Sequence, residues 1–134
     1  MHNQQNWTSV SKKIVALAGV AAAAASLGGA PAFAHHSFAM FDAQKTTVLE
    51  GTIKDFQWTN PHCWIQVVVK DPSGKEVEWS IEGGSPNGLG RQGWKRSSLK
   101  PGDQAQVTIH PLKDGTNGGS LVKVSVNGVQ VGGA

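Results

Sequence analysis

From residue 46 onward the chain alternates apolar and polar positions with the two-residue period of strands that bury one face. Residues 46–58 (TTVLEGTIKDFQW) predict a long first strand, with Leu49, Gly51 and Ile53 on one face and Phe56 and Trp58 on the other. That change of phase calls for a bulge or a sharp coil, and Gly51 is the natural place to bend. Residues 63–71 (CWIQVVVKD) predict a second strand whose β-branched run suits a largely buried position. The run Asp71-Pro72-Ser73-Gly74 supplies a turn, because Pro presets φ and Gly accepts a positive φ. Residues 76–82 (EVEWSIE) then alternate cleanly, with Val77, Trp79 and Ile81 facing inward. The first three strands read as a meander.

The period breaks at residues 83–98 (GGSPNGLGRQGWKRSS), which hold too much Gly for a long helix. Ser85 followed by Pro86 has the form of an N-cap and first helical residue, so a short helix to about Gln92 is expected. Trp94 and Leu99 would anchor this connection to the core. Two more strands follow, at 104–110 (QAQVTIH) and 120–127 (SLVKVSVN), separated by a polar, Gly-containing turn. The tail, 128–134, is expected to fray. Five strands, with a coiled first one and a helical link between the third and fourth, predict an all-β, OB-fold-like Greek-key barrel over 46–127. A small sandwich would need two further strands.

Upstream of the barrel, residues 11–34 carry Lys12 and Lys13, an apolar run from Ile14 to Leu27, and small residues at Ala32 and Ala34. This is the layout of a secretory signal peptide with an A-x-A cleavage site. Fourteen apolar residues are too few for an ordinary transmembrane helix. Cleavage after Ala34 would leave about 100 of the 134 residues, enough for one self-folding domain. It would also remove two of the 12 positive residues and none of the nine negative ones, lowering the formal charge from +3 to +1. On that charge a nucleic-acid partner is not expected. The processed chain, with 35–45 as an N-terminal segment, is expected to be periplasmic and not inserted in a membrane. A lone cysteine forms no internal disulfide.

Processing changes the candidate chemistry most. It would give His35 a free α-amine beside its own imidazole, and those two nitrogens can chelate one metal ion. A further imidazole would complete a three-nitrogen T-shaped site, a histidine brace. Nitrogen-rich tetragonal sites favour Cu(II), so copper is the expected ligand. His36 offers a competing mode through amine, amide and ring, and the Met40 thioether could help hold Cu(I). His62, in an Asn-Pro-His turn, and His110, on the polar face of its strand, are the candidate further donors. Each also has a plain structural reading: a solvated chain start for the first pair, a turn contact for His62, an edge residue for His110. Cys63 adjoins His62, but strand neighbours point to opposite faces, so it reads as a small buried residue.

No H-E-x-x-H, paired CxxC, CxxCH, P-loop or GxSxG motif occurs. Trp58 and Trp64 flank the His62 turn and could wall a shallow site. Arg91, Lys95, Arg96 and Lys100 form a small basic patch near Trp94, by default a solvated loop. The leading expectation is therefore a periplasmic copper-binding or copper-handling protein, with a metal ion as partner and another periplasmic protein as a further candidate. The alternative is a non-metal interaction module using a Trp58/Trp64/Trp94 surface. A copper-dependent oxidoreductase is the weakest reading, because no substrate platform or catalytic residue is legible.

The segments AHHSFAMFD, LEGTIKDFQWTNPHCW, WSIEGGSPNGLGRQGWKRSSLKPGD and IHPLKDGTNGGSL, taken together, resemble a family of small exported bacterial proteins grouped under a domain of unknown function. The resemblance spans essentially the whole processed chain. It implies a signal peptide, a start at or near the double histidine and a compact β-rich domain, but no activity. Cys63, Gly88 and Gly90 depart from the family's pattern, the first replacing an aliphatic residue and the glycines replacing better helix formers.

Overall fold

The computed structural model describes residues 38–132. The proposed signal peptide and both His35 and His36 lie outside the described residues. A short 3-10 turn, Phe38–Met40, leads into β1 (Thr47–Gln57), β2 (Trp64–Lys70) and β3 (Glu76–Glu82). Helix α1 (Pro86–Arg91) follows, then β4 (Gln104–Pro111), β5 (Gly118–Val126) and β6 (Val129–Val131). β1 lies between β2 and β4, all antiparallel, and β3 pairs with β2 while β5 pairs with β4. A parallel pairing of β3 with β5 closes five strands into the expected OB-type barrel.

β1 closes the curve because it bends in two places. Gly51 sits where a Cβ would collide with the Val68 carbonyl oxygen, so only glycine lets the strands approach so closely. The register then shifts between Ile53 and Asp55, placing a bulge at Lys54. That bulge corrects the expected phase. Phe56 pairs with Ile65, and both Phe56 and Trp58 pack against the core beside Leu49 and Ile53 rather than on the opposite face. Their rings meet edge to face at 5.7 Å.

The interior is filled from alternate positions: Ile65 and Val67 of β2, Ile81 of β3, Val107 and Ile109 of β4, and Val124 of β5 are all fully buried. α1 plugs one mouth through Leu89. Ser85 caps it by accepting from the Gly88 amide at 3.1 Å, with Pro86 in the first turn. Trp94 and Leu99 are buried as expected. Buried Trp94 cannot belong to an interaction surface, and Trp58 is already engaged by the core. Trp94 therefore drops out of the alternative Trp58/Trp64/Trp94 surface, while Trp58 and Trp64 are both half-buried.

The frayed tail is also corrected. Asn127 and Gly128 both take positive φ, 50° and 79°, which is the geometry of a tight hairpin turn. That turn folds β6 back on β5, where Val129, Gln130 and Val131 pair with Val126, Ser125 and Val124. Asn-Gly was a hairpin signal that the polar, Gly-rich end of the sequence concealed.

Candidate functional site

The strand register links the neighbourhoods of the two barrel histidines across the outside of the barrel. Trp64 pairs with Glu82, Glu82 with Ser120, and Ser120 with His110. Directly paired residues share a face, so these four form a row on the outer side of the barrel. The β1–β2 loop, 58–63, and the β4–β5 loop, 112–117, flank this row, as the ligand-bearing loops of OB barrels do.

His62 lies at the β1–β2 loop beside the cis Asn60–Pro61 bond, and its backbone carbonyl accepts from the Thr59 hydroxyl at 3.1 Å. Its ring Nδ1 contacts Glu82 Oε1, and the Glu82 side chain is only 10% exposed. A carboxylate that deep needs such a partner, since removing a charge from water is costly. Behind this pair, the Cys63 amide donates to the Gly84 carbonyl at 2.9 Å and the Gly83 amide to the Cys63 carbonyl at 2.8 Å. Cys63 is fully buried, as read from the sequence. Burial pushes its thiol pKa up, against smaller lowering by the Thr59 backbone and the Arg96 charge, so it is a poor thiolate ligand.

His110, half-buried at the end of β4, is held differently. Its Nδ1 lies 2.7 Å from the carbonyl oxygen of Lys45. A carbonyl only accepts, so Nδ1 carries the hydrogen and Nε2 of the neutral ring keeps its lone pair. The segment that supplies this carbonyl is docked on the residues next to His110. Asp42 N donates to the Pro111 carbonyl at 2.8 Å, Lys113 N donates to the Met40 carbonyl at 3.0 Å, and Phe41 bridges Leu112. Phe41 is buried there, Met40 is half-buried, and Phe38 stands 80% exposed. Gly118 and Gly119 let β5 lie close against the end of β4: a Cβ on Gly118 would lie 2.7 Å from Leu112 Cδ1, and one on Gly119 would lie 2.5 Å from the His110 carbonyl.

The structure thus brings His62 and His110 to one face without bringing their rings together. Among the described residues, no group of three or more His, Cys, Asp or Glu side chains is placed to hold a metal ion. His110 and Met40 share the strap region, whereas His62 belongs to Glu82. Sequence reasoning missed Glu82 and the Lys45 carbonyl. Glu82 stood on the polar side of a well-read strand, but only the register of β2, β3 and the loop before them shows which side chain it meets.

No curated protein matches the sequence. Among solved structures, the mitochondrial single-stranded DNA binding protein Rim1 of S. cerevisiae is similar with a TM-score of 0.46 and 12% identity. The match covers 62% of this chain and 94% of that one. With a single-stranded DNA binding protein among the matches, the expectation that set aside a nucleic-acid partner on net charge alone is withdrawn. A sequence profile described as a family of unknown function, DUF6152, matches residues 21–122. The matched stretch takes in the double histidine, the strap, the helix and most of β5, so this chain belongs to that family of unknown function.

Proposed function

We propose that the protein is an exported, periplasmic copper-binding or copper-handling protein whose site is created by cleavage after Ala34. The α-amine and imidazole of His35 chelate Cu(II), a ligand pair that suits copper's preference for nitrogen in tetragonal geometry. His110 supplies the third nitrogen. The observation that carries this reading is the bond from His110 Nδ1 to the Lys45 carbonyl, which leaves Nε2 free to coordinate. His110 is preferred over His62 because the strap that follows the double histidine is hydrogen-bonded to Pro111 and Lys113, the residues after His110. Met40, on that strap, offers a thioether to the reduced ion, and His36 provides the competing amine–amide–imidazole mode.

The test is a titration of Cu(II) into protein with the processed N-terminus, confirmed by mass spectrometry, and into the same protein with its α-amine acetylated. Acetylation should weaken binding by more than about 10-fold, because it removes one of the two nitrogens with which His35 chelates. Equal affinities would overturn the brace.

A further inference from the structure

The bond that fixes His110 is part of a closed loop of contacts. Asp42 and Lys45 bound a turn in which the Lys45 amide donates to the Asp42 carbonyl at 3.0 Å. The Asp42 side chain stabilises that turn twice. Oδ1 accepts from the Gln44 amide at 3.2 Å, and Oδ2 lies 3.4 Å from Lys45 Nζ. Asp42's own amide ties the turn to the Pro111 carbonyl, one residue from His110. The turn then returns the Lys45 carbonyl to the His110 ring. One acidic side chain therefore governs the turn whose two ends grip the strand end and the imidazole.

We infer that Asp42 is a positioning residue for His110: it shapes the turn that holds the ring as the Nδ1–H tautomer and so presents Nε2 as a donor. This rests on the copper reading for its purpose, though not for its geometry. The ion pair with Lys45 is exposed and contributes little on its own. The working contact is the side-chain bond to the Gln44 amide, the type by which Asp and Asn shape turns. Asn keeps that acceptor and loses only the charge. Ala loses both.

The experiment compares wild type, Asp42→Asn and Asp42→Ala in the full processed protein, reading the ring nitrogen chemical shifts of His110 and the affinity for Cu(II) alone. Asp42→Ala should move His110 from a pure Nδ1–H signature to a mixture of tautomers and weaken Cu(II) by about 10-fold, the usual size of an outer contact to a metal-bound histidine. Asp42→Asn should restore both, and the His62 signals should not change in either variant. A His110 signature that stays pure in Asp42→Ala would overturn the inference. If the tautomer responds but the wild type binds Cu(II) no better than the acetylated form, the positioning role stands and the copper reading fails.

Discussion

The two histidines of the barrel are both anchored through Nδ1, yet they are anchored to different things. His62 leans on a carboxylate that is almost withdrawn from solvent, whereas His110 leans on a main-chain carbonyl at the surface. A carboxylate interacts favourably with either the neutral or the protonated ring, and Glu82 itself needs His62 to be tolerable at its depth. The backbone carbonyl carries no net charge; it chiefly fixes which nitrogen holds the hydrogen. The first arrangement clamps a loop to the barrel, and the second prepares a donor. His110 stands on the outer row and His62 contacts it through Glu82, so the acceptor atom is what separates their roles.

The comparison can be broken most directly at Gly119, directly behind His110. Its Cβ would meet Ile109 Cδ1 at 2.7 Å and, at 2.5 Å, the His110 carbonyl oxygen, which as backbone cannot swing aside. Gly119→Ala should cost about 1–3 kcal/mol in urea unfolding and blur the His110 ring signature while leaving that of His62 sharp. A nearly unchanged protein would show that the β4–β5 end does not hold His110 as tightly as the geometry requires. A second measurement exchanges the roles. His62→Ala should lower stability by about 1 kcal/mol and leave Cu(II) affinity as in wild type, because it removes the partner of Glu82 alone. His110→Ala should do the reverse, weakening Cu(II) by more than about 10-fold with little change in stability. If both variants lowered Cu(II) affinity alike, the distinction between clamp and donor would be lost.

The smallest effects belong to the turns that follow β2 and β4. Asp71 and Asp114 are held below the usual aspartate pKa, first by the hydroxyls of Ser73 and Thr116 and then by backbone amides. A depressed native pKa adds stability above the unfolded-state value, and that stability fades as pH falls through the native one. Asp71→Asn and Asp114→Asn should each lower the melting temperature slightly at neutral pH and leave it unchanged in strong acid, so the acid limb of the profile flattens. A steeper acid limb in either variant would contradict the assignment.

The strand order was legible because each strand alternates at period two and each turn carries its own chemistry. Pro72-Ser73-Gly74 and Ser85-Pro86 mark a turn and a helix start that the structure reproduces. Three things were not legible. The bulge that the phase change called for is there, at Lys54, but a period count alone cannot show that it returns Phe56 and Trp58 to the inner face. β6 is only three residues long, too short for alternation to register. Of the candidate site, His62 and His110 could be singled out as residue types, but their anchors are long-range, with Lys45 lying 65 positions from His110. Pairings at that separation are set by register and closure, which no local window contains.

The contact between Gly132 and Trp94 has an optical consequence. A Cβ at Gly132 would run into the indole nitrogen, so the end of β6 lies directly against that ring, and the buried Nε1 has no hydrogen-bond partner among the described residues. An indole in dry surroundings with an unbonded N–H emits at shorter wavelength than a wetted one. Trp94 is therefore a built-in fluorescent reporter of whether the last strand is seated, readable without a label and separate from the end of the barrel where His110 stands.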